Sequence, residues 1–223
     1  MHEHELRLLE LALHLHPMEA QKTQMDLKYL PLEGRFIRLE PVVAAMKEPM
    51  RAVIESDPEV WSTMTVNPLI QGFDTYWLPM LEGIASGQRF AYAVRQNSDG
   101  RLVGTSSFME LRLTQRGVEI GATFLEPESR GGFANPESKL LMLDHAFHSG
   151  AVRVEFAVDS ENRRSQSAVL KLGAVREGVL RNRKIAWNGE VRDVALFSIT
   201  EQDWATARGG LVKRLAAYGG PNR

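Results

Sequence analysis

The sequence predicts a mixed α/β fold in which helices cover both faces of a mixed sheet. Strand and helix patterns alternate from Leu32 onward, and the middle of the chain carries the clearest signals. Apolar residues alternate over 118–124, recur at the helical spacing i, i+3, i+7 over 140–147, and alternate again over 152–158. A strand–helix–strand unit of this length implies a right-handed crossover between parallel strands. Hairpin signals elsewhere imply antiparallel neighbours, so the sheet should contain both kinds of pairing.

The segments on either side of this unit continue the alternation. Residues 35–40 alternate like a strand that Pro41 stops, and residues 42–55 and 73–86 carry helical spacing. The other predicted elements are an irregular connector from Pro58 to Pro68, strands at 90–94 and 102–111 joined by a turn at 97–100, a helix at 163–172 ended by Gly173, a strand at 191–199 and a helix at 201–218.

Composition is that of an ordinary globular protein, with 43% hydrophobic and 25% charged residues among 223. The net charge of −1 gives no overall field toward nucleic acid or an anionic membrane, so neither partner is expected. The absence of cysteine excludes disulfides, thiolate nucleophiles and cysteine-based zinc sites. It also fits a reducing compartment, and we expect a cytoplasmic protein. No apolar stretch is long enough to cross a bilayer.

Residues 1–30 are expected to form an extension that is helical or disordered. Its leucines are interrupted by charged residues and histidines, unlike the unbroken apolar core of a signal peptide. Leucine on two faces of a helix favours packing against the body or a second subunit. An alternative of equal weight is that translation starts at Met18 or Met25 and the segment is disordered. The four histidines at positions 2, 4, 14 and 16 are scattered, and no metal site is expected.

The segment 128–147 leads from a polar turn with two adjacent glycines into an apolar helix. Asn135 fits the N-cap, Pro136 the first helical position, and Glu137 the second, where a carboxylate favours the positive helix end. These caps do not account for the preceding residues 129–132, whose amides would be free to face an anion at the helix N-terminus. Taken alone, the segment is either a turn or an anion site.

Several short motifs resemble one family when their order and spacing are taken together. They are Glu119-Ile-Gly121, Arg130-Gly131 through Asn135-x-Glu137-x-Lys139, Asn162-x-x-Ser165, Leu172-Gly173-Ala174, Glu177-Gly178 and Arg192-Asp193. Over residues 32–204 the chain resembles the GCN5-related N-acetyltransferases (GNAT), and within them the branch that acetylates the N-termini of ribosomal proteins. The resemblance implies the GNAT fold, a mostly antiparallel sheet of about seven strands, in a single domain over 31–208. Residues 209–223 would be a helix end and a tail.

The resemblance further implies acetyl-CoA as co-substrate and no metal. The pyrophosphate would lie on the amides of the loop 130–135, and the pantetheine along the strand 120–124, where backbone amides polarise the thioester carbonyl. Phe133 stands where the family's loop usually has a glycine. The residues implied to bind the co-substrate are Ile120, Thr123, Phe124, Leu125, Arg130, Gly131, Gly132, Phe133, Ala134, Asn135, Asn162, Ser165 and Lys171.

Direct transfer of acetyl to an amine is the implied reaction, and it suits a chain without cysteine. Many relatives protonate the leaving thiolate with a tyrosine at the position of Val169, so Ser165 is the remaining candidate acid. Glu119, beside the cofactor strand, is the candidate base or water-positioning residue. Each has a structural alternative: a first-turn helix hydroxyl for Ser165, and a solvated strand carboxylate for Glu119.

Two functions remain open at this point. One is an N-acetyltransferase whose acceptor is a protein N-terminus or a small-molecule amine. The other is a non-catalytic acyl-CoA-binding scaffold, which Phe133 and Val169 favour because both replace expected working residues. Arg163, Arg164 and Lys171 are either contacts for the 3′-phosphate of CoA or surface charges. Relatives often dimerise, and a homodimer is expected.

Overall fold

A computed structural model describes residues 24–219, and its centre is one eight-stranded sheet. The strand order is β1-β2-β3-β4-β5-β6-β8-β7, and every neighbouring pair is antiparallel except β5 and β6. The strands are β1 (Leu32–Glu33), β2 (Ile37–Pro41), β3 (Phe90–Gln96), β4 (Leu102–Arg112), β5 (Gly117–Leu125), β6 (Arg153–Asp159), β7 (Val175–Ile185) and β8 (Val191–Thr200). The predicted mixed, mostly antiparallel sheet is confirmed, and it contains two strands that the sequence patterns did not predict, the two-residue β1 and the eleven-residue β7.

Helices cover both faces, as predicted. They are α1 (Lys47–Ile54), α2 (Pro68–Gln71), α3 (Asp74–Ala85), α4 (Ala134–His148), α5 (Arg163–Leu170) and α6 (Glu201–Ala216). A main core forms where α4 and α6 meet one face of the sheet, and it includes Met142, Leu143 and Leu211. A second cluster forms under α1 and α3 on the opposite face, and it includes Met50 and Trp77. The connector predicted between Pro58 and Pro68 contains a 3₁₀ helix at Pro58–Thr63.

The folded body includes residues on both sides of the predicted domain 31–208. Met25 is 1% exposed, and its N–H donates to the Leu113 carbonyl at 2.9 Å, so the assigned extension joins the core before residue 31. Helix α6 continues past residue 208 to Ala216, with Leu211 and Leu215 buried. Apolar side chains at these positions pack in the core. The predicted N-terminal helix and its histidines lie outside the described residues.

An extra residue in β5 changes the side of the sheet that its side chains face. The strand advances three residues, from 121 to 124, while the paired β4 advances two. Ala122 adopts φ 46°, in the left-handed region, and is exposed. Ile120 therefore packs in the main core, and Phe124 packs in the second cluster on the other face. The single apolar face predicted for 118–124 is wrong beyond Ile120, because one inserted residue reverses the alternation.

Helix α4 begins earlier than its capping signals indicated. Phe133 is the N-cap, without a side-chain cap bond, so Asn135 lies inside the first turn and is not the N-cap. Glu137 is 4% exposed and turns away from the helix end. Its carboxylate accepts the backbone N–H groups of residues 35, 36 and 37 at 2.7, 2.8 and 2.8 Å. Glu137 thus fastens the β1–β2 turn to α4, which holds the helix N-terminus in place.

Glu137→Gln is expected to lower the free energy of unfolding by about 1–3 kcal/mol, because three amide donors lose a charged acceptor. Urea unfolding followed by circular dichroism measures this difference. Glu128→Gln is the matched control, since Glu128 is an exposed carboxylate in the 3₁₀ turn Pro127–Ser129. Equal unfolding midpoints for both variants would show that the carboxylate does not hold the turn.

Candidate functional site

The sheet opens between its two parallel strands. Strands β5 and β6 pair only over Gly117–Glu119 and Arg153–Glu155. Beyond that point β5 continues to Leu125 and β6 to Asp159 without a bridge between them. The inner edges of both strands consequently present backbone groups to a gap. A narrow extended molecule with amide groups can pair with such an edge in the way a strand would.

A turn and a helix N-terminus lie at the end of β5. Gly131 has φ 76°, in the left-handed region that glycine adopts without a steric penalty. Within residues 24–219, the N–H groups of residues 131–135 donate to no protein acceptor. They are the free amides of the turn and of the first helical positions, and the helix dipole adds positive potential at this end. The arrangement is suited to a phosphate or pyrophosphate group.

Phe133 does not obstruct this set of amides. Its ring stacks on Phe36 with centroids 4.8 Å apart, and Tyr218 meets it edge-on at 6.2 Å. The Tyr218 hydroxyl also donates to the Gly131 carbonyl at 3.2 Å. Phe133 therefore connects the turn to Phe36, just before β2, and to Tyr218 in the 3₁₀ turn after α6. The amide of Phe133 remains without a protein acceptor in the part of the chain that the structure describes.

The Arg130 side chain connects the turn before α4 to β5 and to Asp57. Its Nε donates to the Leu125 carbonyl at 2.8 Å, and its Nη1 lies 2.5 Å from Asp57 Oδ2. Its backbone N–H donates to the Pro127 carbonyl at 3.2 Å. Both kinds of donor on Arg130 thus have protein acceptors. Asp57, which fixes the guanidinium, is a site residue that the sequence did not reveal, because it lies 73 positions away in the chain.

The side chains at the C-terminal end of β5 mostly contact other protein groups. Ile120 lies in the main core, and Phe124 stacks on Trp61 with centroids 5.7 Å apart. The hydroxyl of Thr123 accepts from Lys139 Nζ at 2.6 Å. Leu125 is buried and supplies the carbonyl that Arg130 uses. The four strand residues can face the gap chiefly through their backbone.

Asn162 and Ser165 come together at the start of α5, which follows the free end of β6. The Asn162 side chain caps the helix by accepting from the Ser165 N–H at 3.0 Å. The hydroxyl of Ser165 makes no protein hydrogen bond within the described part of the chain. Val169, at the position of the relatives' tyrosine, is buried in the main core. Ser165 is therefore the free hydroxyl of this turn.

Glu119 lies where the gap begins, opposite Glu155 of β6 and Met109 of β4. Burial is the main cause that raises its pKa; Lys184 opposes the shift and Glu110 adds to it. Glu155 differs, since Arg112 at 2.8 Å and Arg153 at 2.6 Å form ion pairs with it. Glu119 is in no ion pair among residues 24–219. It is the carboxylate of this face that has a raised pKa and no fixed cation.

The structure does not bring Lys171 to the free amides. Lys171 is the C-cap of α5, at the other end of the helix from Asn162. It lines an open groove of about 410 Å³ with residues of α6, among them Gln202 and Asp203. That end of α6 packs beside the C-terminus of α4, where Trp204 stacks on Phe147. Arg163 and Arg164 are exposed in the first turn of α5, at the end of the helix that follows β6.

Residues 24–219 contain neither a candidate metal-binding cluster nor a candidate membrane-spanning helix. No group of three or more histidine, aspartate or glutamate side chains is placed to hold a metal ion. No helix in that part of the chain is both long and apolar enough to cross a membrane.

Comparison with known proteins agrees with this geometry. The model of the acetyltransferase (GNAT) domain matches residues 37–175. The uncharacterized N-acetyltransferase YoaA of Bacillus subtilis (strain 168) is 30% identical over 111 residues, which are 49% of this chain and 62% of that relative's length. A presumed acetyltransferase from T. thermophilus is 33% identical, with a TM-score of 0.73 over 83% of this chain and 96% of its own. Mycobacterium smegmatis RimJ, solved with CoA-disulfide, shares the fold at 22% identity, with a TM-score of 0.68 over 82% and 92% of the two chains. The family model covers more than half of the sequence, and the chain belongs to the GNAT acetyltransferase family.

Proposed function

We propose that this chain is an acetyl-CoA-dependent N-acetyltransferase that moves an acetyl group directly to a primary amine. The observation that carries the proposal is the set of free amides at residues 131–135, placed at the end of a strand whose inner edge is unpaired. One feature suits a pyrophosphate and the other suits the amide-containing arm attached to it. The free amides follow the unpaired edge of β5, just as the pyrophosphate of CoA follows its pantetheine arm.

Each part of acetyl-CoA has a candidate binding group in the chain. The amides of residues 131–135 bind the pyrophosphate, and the open edge of β5 binds the pantetheine. Asn162 and Ser165 border the gap on the side of β6. Arg163, Arg164 and Lys171 of α5 are the cations that we propose for the 3′-phosphate, and the two arginines lie at the end of the helix that follows β6. Bound in this way, acetyl-CoA supplies an activated acetyl thioester.

Gly131→Ala is expected to weaken CoA binding about tenfold, because alanine in the left-handed region costs about 1–2 kcal/mol and the turn relaxes to avoid it. Gly132→Ala is the matched control, since no atom lies within 4 Å of the added Cβ and its φ is ordinary. Isothermal titration with CoA measures both. Similar affinities for the two variants would exclude Gly131 as the residue that shapes the site.

The chemistry divides between Glu119 and Ser165. Glu119 accepts a proton from the acceptor, directly or through water, and leaves a neutral amine as nucleophile. The amine nitrogen attacks the thioester carbon, and the C–S bond breaks as the C–N bond forms. The Ser165 hydroxyl donates its proton to the departing sulfur and regains a proton from the acylated nitrogen, so the products are a neutral amide and CoA thiol. Backbone N–H groups at the β5 bulge stabilise negative charge on the carbonyl oxygen.

Ser165→Ala is expected to lower kcat about tenfold or more while CoA affinity stays near that of wild type, since only protonation of the leaving group is lost. The Asn162 cap uses the backbone of residue 165 and survives the change. Ser167→Ala, an exposed serine of the same helix, is the control. Steady-state kinetics with saturating acceptor distinguishes them, and an unchanged kcat for Ser165→Ala would remove Ser165 from the mechanism.

The acceptor that we propose is an α-amine at a protein N-terminus, as in the ribosomal-protein branch that the motifs resemble. An α-amine has a reference pKa of about 8 against about 10.4 for lysine, so a single weak base such as Glu119 suffices. Small-molecule amines are the alternative acceptors. This function places the protein in the cytoplasm, where acetyl-CoA and nascent chains occur together.

Release of CoA thiol from acetyl-CoA across a panel of amines tests the proposal. Faster release with α-amino peptides than with lysine side chains or polyamines supports it. The rival function, a non-catalytic acyl-CoA-binding scaffold, is favoured by the buried Val169 in place of a tyrosine. Tight CoA binding with no amine-dependent release would establish the scaffold and contradict the enzyme. Absence of CoA binding would contradict both.

A homodimer is also part of the proposal, with β7 at its interface. This outer strand has eleven residues and exposes apolar side chains along its length, including Val179 and Ile185. Long apolar edge strands readily pair with another chain. Val179→Glu with Ile185→Glu should convert the dimer to a monomer in light scattering, whereas Val43→Glu, at another exposed position, should not. A dimer that persists in the double variant would show that the interface does not include β7. The same measurement on a chain beginning at Met25 tests residues 1–24.

A further inference from the structure

A lysine lies buried behind the cofactor strand. Lys139 of α4 is 4% exposed, on the side of the sheet that carries the main core. Its Nζ donates to Ser106 Oγ at 2.7 Å and to Thr123 Oγ1 at 2.6 Å. The two hydroxyl oxygens are 2.9 Å apart, so the three polar groups form a closed triangle. None of the ion pairs within residues 24–219 includes Lys139.

This triangle lies at the β5 bulge. Thr123 directly follows Ala122, the residue with φ 46° that makes the bulge. Ser106 is the β4 residue at which the register of the pair shifts. The lysine therefore ties the irregular part of β5 to α4 and β4 from the side opposite the gap. The bulge has backbone pairing with β4 on one edge only, because β6 does not pair with it.

Stability does not explain the presence of a lysine here. A buried amine without a counter-charge is costly, and burial lowers the pKa of Lys139 to about 7. Two titratable residues adjoin the triangle in strand pairing or in sequence: Tyr92 is the cross-strand neighbour of Ser106, and Glu137 lies two residues earlier on α4. Burial raises the pKa of Tyr92, and backbone amides occupy Glu137. Neither residue therefore forms an ion pair with the ammonium group of Lys139. An apolar side chain at this position would give a more stable fold.

We propose that Lys139 is a positioning residue for acetyl transfer: it holds the Thr123 side chain and so fixes the β5 bulge in the conformation that aims its backbone amides at the thioester carbonyl. The inference rests on the proposed function. The lysine acts through Thr123 and does not touch the substrate. Loss of the tie lets the bulge relax, and misplacement of such donors by about 1 Å can lower turnover about 100-fold.

The first test separates turnover from binding. Lys139→Met fills the same space without hydrogen bonds, and Thr123→Val breaks the tie from the strand side with an isosteric group. Both should lower kcat about 10- to 100-fold while CoA affinity in isothermal titration changes little. The double variant should lose no more than the worse single variant, because both changes break one connection. Wild-type kcat in Lys139→Met would overturn the proposal.

Rescue and hydrogen exchange test whether the ammonium group at position 139 holds the bulge. The chain has no cysteine, so Lys139→Cys can be alkylated in denaturant with bromoethylamine and refolded, which restores an ammonium at position 139. Wild type taken through the same cycle is the control, and recovery of kcat is expected only after alkylation. Amides of residues 120–125 should exchange faster in Lys139→Met than in wild type, and equal exchange would overturn the proposal. An inactive wild type would overturn the proposed function itself, whereas an active wild type with an equally active Lys139→Met overturns this inference alone.

Discussion

Glu119→Gln is expected to lower kcat/KM for acetyl transfer about 10²- to 10⁴-fold, the range that a general base contributes. The carboxylate lies at the start of the gap between β5 and β6, and burial chiefly raises its pKa. Glutamine has nearly the same shape and cannot accept the amine proton. CoA affinity should stay unchanged, because the free amides that bind the phosphates lie at the other end of β5.

The dependence of kcat/KM on pH provides a second test of Glu119 as the base. Only ionised Glu119 accepts a proton, so wild-type kcat/KM should fall as the pH drops through the raised pKa of Glu119. The Glu119→Gln variant should lack that acidic limb. Glu110→Gln is the matched control, since Glu110 is an exposed carboxylate whose charge acts on Glu119. Equal losses of kcat/KM in both variants would mean that the loss comes from removing negative charge near the gap. Glu119 would then not be the base.

Lys139→Met is expected to raise the free energy of unfolding by about 2–4 kcal/mol at pH 7 while activity falls. The pKa of Lys139 is 10.5 in its ordinary state and about 7 when folded, so the unfolded chain binds more protons between these values. Stability of the wild type therefore rises with pH across this window. The cost of the lysine is full below about pH 7 and disappears as the pH rises through its unfolded value.

Urea unfolding of both proteins at several pH values between about 6 and 10 measures this cost. The difference between Lys139→Met and wild type should shrink by about 1.4 kcal/mol per pH unit above about pH 7.5, because each unit of pKa shift carries that free energy. Titration of tyrosines affects both proteins and cancels in the difference. A difference that is constant with pH would show that Lys139 keeps its ordinary pKa when folded. A less stable variant at pH 7 would show that the hydrogen bonds outweigh the burial.

The elements that short periodic patterns describe were predictable from the sequence. The strand–helix–strand unit around α4 appears in the structure with its parallel pair, because burial on one face imposes a local period. The free amides of the turn also follow from adjacent glycines before a helix. The family resemblance added what no local pattern carries, the association of that turn with Asn162 and Ser165.

Features that depend on distant contacts were not predictable. Ala122 has no sequence signal for a bulge, since alanine rarely takes a positive φ, and the bulge is imposed by the pairing of β4 and β5. The capping pattern at Asn135 misled because Glu137 is used by amides about 100 residues earlier in the chain. Phe133 is explained only by Phe36 and Tyr218, which come from the two ends of the folded body.

The most direct test of the account is mass spectrometry of an amine after incubation with the protein and acetyl-CoA labelled in the acetyl group. A peptide with a free N-terminus and an internal lysine should gain one labelled acetyl group, on its α-nitrogen, at a rate that Glu119→Gln reduces. No label on any amine, from a protein that binds CoA, would contradict the acetyltransferase function.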